Sequence, residues 1–339
     1  MIKPFRYLVL YLLQLCLLNA STLYAQDNCA LYSSNQTVEH CKNPLGIVSK
    51  QPRLGWQLTS NCSDSKQAYY QILVASSPQL LNTQQADMWN SGKVLSDQQL
   101  NVHYQGKTLK SAKRYYWKLK LWKKKDTEGT WSSLQHFSTG LIHQNEQVAQ
   151  WIQADLGKDS TVDIARHAAH YFYHPIEWNL TKKVKTANCF VAGLGVYELY
   201  IDGIRIGQQH LNPASTDFDK RVLYNSYDIS KILAGNQHAI GLVLGNGKLY
   251  SGRRHLKDYG LPRLWLQLHI NFSDGTDTII ISHPKWYSSY DGAIEFNNEY
   301  DGERYNSAKE FKNWATYHQS VQNWARSKQM TNFEPILSP

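Results

Sequence analysis

The residues best suited to chemistry in this chain are carboxylates at short spacing, namely Asp217, Asp219, Asp291, Asp301 and Glu303. On an extended segment Asp217 and Asp219 would project from the same side of the backbone. Two carboxylates with separated pKa values are what hydrolysis of a glycosidic bond usually requires. Lys220 and Arg221 follow directly and neutralise this pair, and Asp is common in turns. The sequence therefore favours a structural role for these carboxylates and predicts no catalytic residue.

Three histidines lie close together in the sequence, at His167, His170 and His174, and could bind a metal ion. On a strand, His170 and His174 share one face and His167 points to the other, which gathers only two ligands. The chain has no CxxC spacing, and it has no nucleophile elbow, phosphate loop or HExxH helix. The sequence therefore predicts neither a metal site nor a cofactor.

Residues 193–252 form the stretch around which the chain is organised. Apolar and polar residues alternate through Val196–Ile201 and again through Ile204–Ile206, with Asp202-Gly203 between them. Asp-Gly tolerates the positive φ values of a type I′ turn, so this pattern predicts a β-hairpin. The apolar run at 239–244 predicts a buried strand. A clean alternation from Arg263 to Ile270 predicts another.

Short strands separated by turn residues also dominate the first part of the chain. We predict strands at 53–58, 68–75, 102–104, 115–122 and 136–139. Leu109, six residues before Tyr115, fits a tyrosine corner, in which the phenol bonds back to the backbone. The sequence thus predicts an all-β protein: a fibronectin type III-like sandwich followed by a larger, jelly-roll-like β-sandwich.

Three segments of the central stretch resemble the N-terminal non-catalytic region of bacterial α-L-rhamnosidases: GLGVYELYIDG, LNPASTDFDKRVLYNSYD and IGLVLGNGKLYSG. The run from Asn298 to Asn306 resembles a further family segment. This chain departs from the family at Ala214-Ser215 and at Lys248-Leu249, where tryptophans are usual, so two flat aromatic surfaces are lost. The resemblance implies an accessory region whose acid and base lie in a downstream helical barrel that this chain lacks.

The resemblance also implies where a sugar or a neighbouring domain would touch the chain. The candidate residues are charged or aromatic residues of sandwich loops: Asp217, Lys220, Arg221, Tyr250, Asp301 and Glu303. The expected partners are a rhamnose-containing glycan and a separately encoded or missing catalytic domain. Two alternatives remain open: a stand-alone protein that binds rhamnose-containing glycans, and a structural fibronectin-like secreted protein.

The N-terminus predicts export. Lys3 and Arg6 precede an apolar run that is followed by small residues up to Ala25, which is the layout of a secretory signal peptide. A secreted or periplasmic protein can form disulfides, and short separation favours Cys29 with Cys41. Export also argues against nucleic acid as a partner, and after signal cleavage no membrane association is expected.

The net charge of +9 is carried in part by a lysine-rich strand, with Lys118, Lys120, Lys123, Lys124 and Lys125. We interpret these lysines as the solvated face of an edge strand, where charge discourages pairing with other chains. The predicted organisation is a signal peptide at 1–25, a lead-in at 26–40, the fibronectin type III-like domain at 41–141, a linker at 142–150, the larger sandwich at 151–326, and a truncated lead-in to a missing catalytic module at 327–339.

Overall fold

A computed structural model describes residues 30–63, 65–124, 128–156, 166–250, 253, 257–318, 321 and 323–339. The predicted signal peptide and Cys29 lie outside these ranges. The first domain contains β1 (Leu31–Val38), β2 (Arg53–Ser60), β3 (Tyr69–Ala75), α1 (Pro78–Asn82), β4 (Trp89–Asn90), β5 (Val94–Leu95), β6 (Val102–His103), β7 (Arg114–Trp122), β8 (Thr130–Trp131) and β9 (Gln135–Ser138).

The second domain contains β10 (Ile152–Gln153), β11 (His170–Glu177), β12 (Val184–Leu194), β13 (Val196–Ile201), β14 (Ile204–Ile206), β15 (Arg221–Leu223), β16 (Asn225–Asp228), β17 (Gln237–Gly245), β18 (Arg263–Phe272), β19 (Asp277–Ile281), β20 (Tyr287–Ser289), β21 (Ile294–Asn298), β22 (Gly302–Tyr305), β23 (Ala325–Arg326), β24 (Lys328–Gln329) and β25 (Ile336–Ser338). The predicted all-β fold is confirmed.

The first domain is a sandwich of two antiparallel sheets. One sheet has the order β1-β2-β6, and the other has the order β4-β3-β7-β8 with β5 on β3 and β9 on β7. Large aromatic side chains fill the space between them, with Trp56 and Trp117 each 1% exposed. Trp56 donates its indole hydrogen to Gln67, so its one polar atom is satisfied inside the core.

The tyrosine corner is present as the sequence predicts. The backbone amide of Lys110 donates to the Tyr115 hydroxyl at 2.8 Å, and Leu109 is buried beneath the turn. This bond fixes the entry into β7, whose alternating side chains then face the core and solvent in turn.

The interpretation of the lysines as an edge strand is wrong. β7 lies inside its sheet, because it pairs with β3 on one side and with β8 and β9 on the other. Lys118 and Lys120 instead lie over the ring of Trp131, with their ammonium groups 4.5 and 5.4 Å from its centroid. Lys125 lies outside the described residues.

The second domain packs two larger sheets face to face. Their strand orders are β16-β12-β18-β10-β24, with β19 on β18, and β14-β13-β17-β11-β20-β23. The core between them is mainly aliphatic. The predicted hairpin is β13 and β14, and Asp202 and Gly203 have φ values of 51° and 79° as a type I′ turn requires.

The two domains share a buried junction. Leu141 of the first domain packs in one apolar cluster with Phe190, Tyr224 and Trp265 of the second. The Tyr224 hydroxyl accepts from the Leu141 amide, and Arg114 of the first domain forms an ion pair with Asp228. The predicted linker 142–150 runs beside this junction.

The structure differs from the predicted boundaries at both ends. The first sandwich begins at Leu31, inside the predicted lead-in, because β1 pairs along β2 from Leu31 opposite Ser60. In the predicted C-terminal lead-in, β24 pairs with β10 and β25 pairs in parallel with β15. β1 and β24 are therefore edge strands of the two sandwiches, and β25 forms a separate two-stranded sheet with β15.

The predicted pairing of Cys29 with Cys41 is wrong, because Cys41 is a free, exposed cysteine. Cys62 is the described cysteine that forms a disulfide. The register of β1 with β2 gives the reason. Cys41 lies in the turn after β1, whereas the start of β1 lies beside the end of β2, where the Ala30 amide donates to Asn61.

Candidate functional site

A cleft of about 740 Å³ opens on the outer face of the second domain. Its floor is the beginning of β13 and the end of β17, where Val196 and Val243 face away from the core and alternate with buried neighbours. The loop 211–218 forms one wall, and the β21–β22 hairpin forms the other. Strand alternation thus places the core and the cleft on opposite faces of one sheet.

A buried amide network holds these walls together. Asn246 is fully buried, and its side-chain amide donates to the carbonyl oxygens of Arg166, His167 and Asn297 at 2.9 to 3.2 Å. The Asn297 side chain in turn accepts from the Asn246 backbone amide at 2.6 Å. The hairpin is thereby tied to the turn after β17, so the shape of the cleft is set before any ligand arrives.

A glycine permits the close approach of two backbones in the lining of the cleft. Gly195 has a φ of +104°, and a Cβ atom there would overlap the carbonyl oxygen of Gly245. The chain therefore needs a residue without a side chain at this point.

The cleft is charged, with more carboxylates than ammonium groups. Glu198 accepts from Arg205 at 2.9 Å and from the Tyr200 hydroxyl at 2.6 Å. Lys248 lies 3.5 Å from Glu299 across the opening. Glu303 is on the exposed rim.

Of the six contact residues predicted from the sequence, Glu303 is the one that lines the cleft in the described structure. Asp217 lies in a separate surface cluster, where it pairs with Lys257 at 3.1 Å and with Lys220 at 3.5 Å. A hydrogen bond from Lys257 lowers the pKa of Asp217. Arg221 bonds to Ser338 of β25, so it helps to fix the C-terminal strand.

The other two predicted residues also contact neighbouring side chains outside the cleft lining. Tyr250 lies beside His167 and under the guanidinium of Arg166, at ring distances of 5.4 and 5.3 Å. Asp301 accepts from Arg253 at 2.8 Å and from Asn298 at 3.0 Å. The hydrogen bond from Arg253 is the main cause of the lowered pKa of Asp301.

Sequence reasoning missed most of the lining, including Glu198, Lys248, Asn298 and Glu299. The sequence held one clue. Both places at which it departs from the pattern that it resembles, Ala214-Ser215 and Lys248-Leu249, lie at the cleft. Ser215 and Lys248 line the cleft, and Leu249 is fully buried behind it. At these two places the cleft is thus lined by a hydroxyl and an ammonium group.

Two carboxylates that the sequence singled out, Asp217 and Asp301, lie outside the cleft and have lowered pKa values. A general acid needs a raised carboxyl pKa, whereas ion pairs lower the pKa of Asp217 and of Asp301. Within the described ranges, no group of three or more His, Cys, Asp and Glu side chains is arranged to hold a metal ion. Among the same residues, no helix has the length and apolar character needed to cross a membrane.

Two protein families match the two domains. The Rha78A-like N-terminal immunoglobulin domain matches residues 33–143, and the α-L-rhamnosidase N-terminal domain matches residues 182–339. An α-L-rhamnosidase of Formosa agariphila is 34% identical over 312 residues, which cover 85% of this chain and 32% of that protein. An α-L-rhamnosidase of Alteromonas sp. is 31% identical over 279 residues, 80% of this chain and 30% of that protein.

Solved structures agree with this assignment. The α-L-rhamnosidase of Dictyoglumus thermophilum superposes with a TM-score of 0.79 at 34% identity, over 90% of this chain and 35% of that one. The α-L-rhamnosidase of Aspergillus terreus superposes with a TM-score of 0.77 at 27% identity, over 89% of this chain and 34% of that one. The chain spans about a third of the length of the curated relatives that it matches. The immunoglobulin-type domain and the domain that follows it thus match the N-terminal domains of α-L-rhamnosidases, and the chain corresponds to the accessory N-terminal region of those proteins.

Proposed function

We propose that the cleft of the second domain binds a saccharide segment of a rhamnose-containing glycan. In this proposal an α-L-rhamnosidase catalytic domain, separate from the two domains described, hydrolyses the glycan. We further propose that the protein is exported, since Lys3, Arg6 and the apolar run after them have the layout of a signal peptide. Its partners in this proposal are the glycan and a catalytic domain.

The single observation that carries the proposal is the lining of the cleft. Its volume of about 740 Å³ lies within the range of small-molecule sites, which is large enough for more than one sugar ring. Val196, Val243 and Ile294 offer apolar surface to the C–H face of a pyranose. Asn298 and Glu303 offer hydrogen-bonding groups to hydroxyls. The names of the relatives supply the sugar class.

The amide network around Asn246 also favours binding, because it holds the cleft in one shape. Asn246 and Asn297 hold the hairpin against β17 without help from a ligand. A rigid cleft loses little conformational entropy when it binds, so a modest number of contacts suffices for measurable affinity.

Calorimetry and an activity assay on the chain from Gln26 onward test the proposal. We expect binding of a rhamnose-containing oligosaccharide and no hydrolysis of an aryl α-L-rhamnoside. Glu303→Gln and Lys248→Ala should each weaken binding about fivefold, as for the loss of one charge-assisted hydrogen bond at a solvent-exposed rim. Glu334→Gln, at an exposed carboxylate outside the cleft, is the matched control and should bind as the unmodified chain does.

Two results would contradict the proposal. One is the absence of binding to any rhamnose-containing oligosaccharide. The other is hydrolysis that Glu303→Gln abolishes, which would place catalysis in this chain.

A further inference from the structure

Two adjoining depressions in the first domain form a second concave surface, which we name the Trp89 groove. They have volumes of about 380 and 500 Å³, and Trp89, Asn90 and Gln105 line both of them. The shared residues place the two depressions side by side, with Trp89 in the lining of each. This surface lies on a different domain from the cleft and is independent of it.

The larger part of the lining is polar but uncharged. In the first depression the polar side chains are mostly amides and hydroxyls, with one imidazole: Tyr70, Asn90, Ser91, Gln98, Asn101, His103 and Gln105. No Asp, Glu, Lys or Arg among the described residues lines it. The second depression adds Asp87 and Lys107, and Asp87 is already bonded to the amide and hydroxyl of Ser76. An anionic ligand therefore finds little to pair with.

Several of these polar groups have no hydrogen-bond partner among the described residues. Tyr70 is only 8% exposed, and its hydroxyl, which makes no hydrogen bond to a described residue, is accessible from the groove. Burial raises the pKa of Tyr70, so the phenol keeps its proton as a donor. The side chains of Asn101 and Gln105 likewise make no hydrogen bond to described residues and are exposed at the groove. These three groups are therefore free to exchange water for the hydroxyls of a ligand.

The aromatic residue between the depressions is held firmly. The ring of Trp89 packs edge-on against Tyr104 with centroids 5.4 Å apart. Gly106 allows this packing, because a Cβ atom there would overlap Trp89 and the Tyr104 hydroxyl. A fixed, partly exposed indole flanked by neutral amides suits a ligand that has both apolar faces and hydroxyl groups.

We propose that the Trp89 groove binds an uncharged oligosaccharide, with a sugar unit in each depression, Trp89 against the chain between them, and Tyr70, Asn101 and Gln105 bonded to its hydroxyls. A uronate chain or a nucleic acid is disfavoured because the first depression offers no cation. The groove gives the immunoglobulin-type domain a binding role of its own.

The test titrates the chain from Gln26 onward with neutral tetrasaccharides of xylose, galactose and rhamnose, and with trigalacturonate as the acidic comparison. Asn101→Gly with Gln105→Ala removes two amides. Glycine is chosen because Asn101 has a φ of 56°. At least one neutral probe should bind, and the double variant should weaken it about tenfold or more.

Trp89→Phe should weaken binding of the same probe by a smaller factor than the double variant does. Phenylalanine is chosen instead of alanine because it keeps an aromatic ring against Tyr104 and so preserves the fold. Gln57→Ala, an exposed amide of β2 outside the groove, is the matched control and should bind normally. Glu303→Gln should also bind normally at this site, which separates the groove from the cleft.

Three results would overturn the inference: no neutral probe binds, binding does not respond to the double variant, or trigalacturonate binds as tightly as the neutral probes. Binding that Glu303→Gln weakens and the double variant leaves unchanged would refute the groove while supporting the cleft.

Discussion

The cleft of the second domain and the groove of the first are both concave and both wide enough for sugars, yet they are built differently. In the cleft, a buried network around Asn246 sets the shape, and charged side chains such as Lys248 and Glu299 surround the opening. In the groove, exposed amides lie beside two aromatic residues, Trp89 and Tyr70. The shape of the cleft thus depends on buried hydrogen bonds, whereas the groove is defined mainly by the exposed side chains that line it.

This difference follows from the two cores. The first sandwich buries tryptophans such as Trp56 and Trp117 between small sheets, and its short edge strands β4 to β6 leave Trp89 at the surface. The second sandwich buries mainly aliphatic side chains between long strands, and its cleft is walled by the loop 211–218 and the β21–β22 hairpin. Substitutions in the cleft framework should therefore cost more stability than substitutions in the groove lining.

The largest expected effect is that of Gly195→Ala. It combines a positive φ with an overlap against the Gly245 carbonyl, and it should lower the free energy of unfolding by about 3 kcal/mol or more. Gly235→Ala is the matched control, with a φ of +112° and nothing within 4 Å of a Cβ atom, so it should cost only about 1 to 2 kcal/mol. Urea unfolding measures both. Equal losses would show that backbone overlap does not shape the cleft.

Asn246→Ala should have the next largest effect. It leaves three part-buried carbonyl groups without their donor, and we expect a loss of about 2 to 3 kcal/mol in the free energy of unfolding. Asn90→Ala, an exposed amide of the groove, should lose less than about 1 kcal/mol. If the two variants were equally stable in denaturant, the contrast between a buried framework and an exposed lining would fail.

Tyr115→Phe tests the framework of the first domain. It removes the hydroxyl that accepts from the Lys110 amide, and the free energy of unfolding should fall by about 1 kcal/mol. Tyr116→Phe, at the next residue of β7, removes a hydroxyl that makes no hydrogen bond to described residues and should leave the stability unchanged. A Tyr115→Phe protein as stable as the unmodified chain would mean that the corner contributes nothing.

The smallest effect concerns pH. The lowered pKa of Asp301 means that its ion pair with Arg253 stabilises the fold above the ordinary Asp value of 3.8 and is lost as the pH falls through the lowered value. Asp301→Asn should therefore show a shallower decline of the thermal midpoint below about pH 4 than the unmodified chain. Gln105→Ala in the groove should keep the original pH profile. Identical profiles for all three proteins would show that the ion pair does not contribute.

The sequence by itself determined the features that depend on neighbours along the chain. Asp202-Gly203 specifies its turn because those two residue types tolerate the positive φ values that the turn needs. Leu109 and Tyr115 specify the corner because their spacing fits one local geometry. The alternation in β13 and β18 specifies which side chains enter the core.

Only the tertiary structure decided which distant segments meet. β7 lies inside its sheet, and Cys41 remains free, because of how the strands pair. The sequence of one strand does not determine which other strands pair with it. The cleft joins residues as far apart as Glu198, Lys248 and Glu303, and Asp217 lies in another cluster although it resembles them in chemistry. Charge and polarity identify candidates along the chain, but sheet register determines which of them share a cavity.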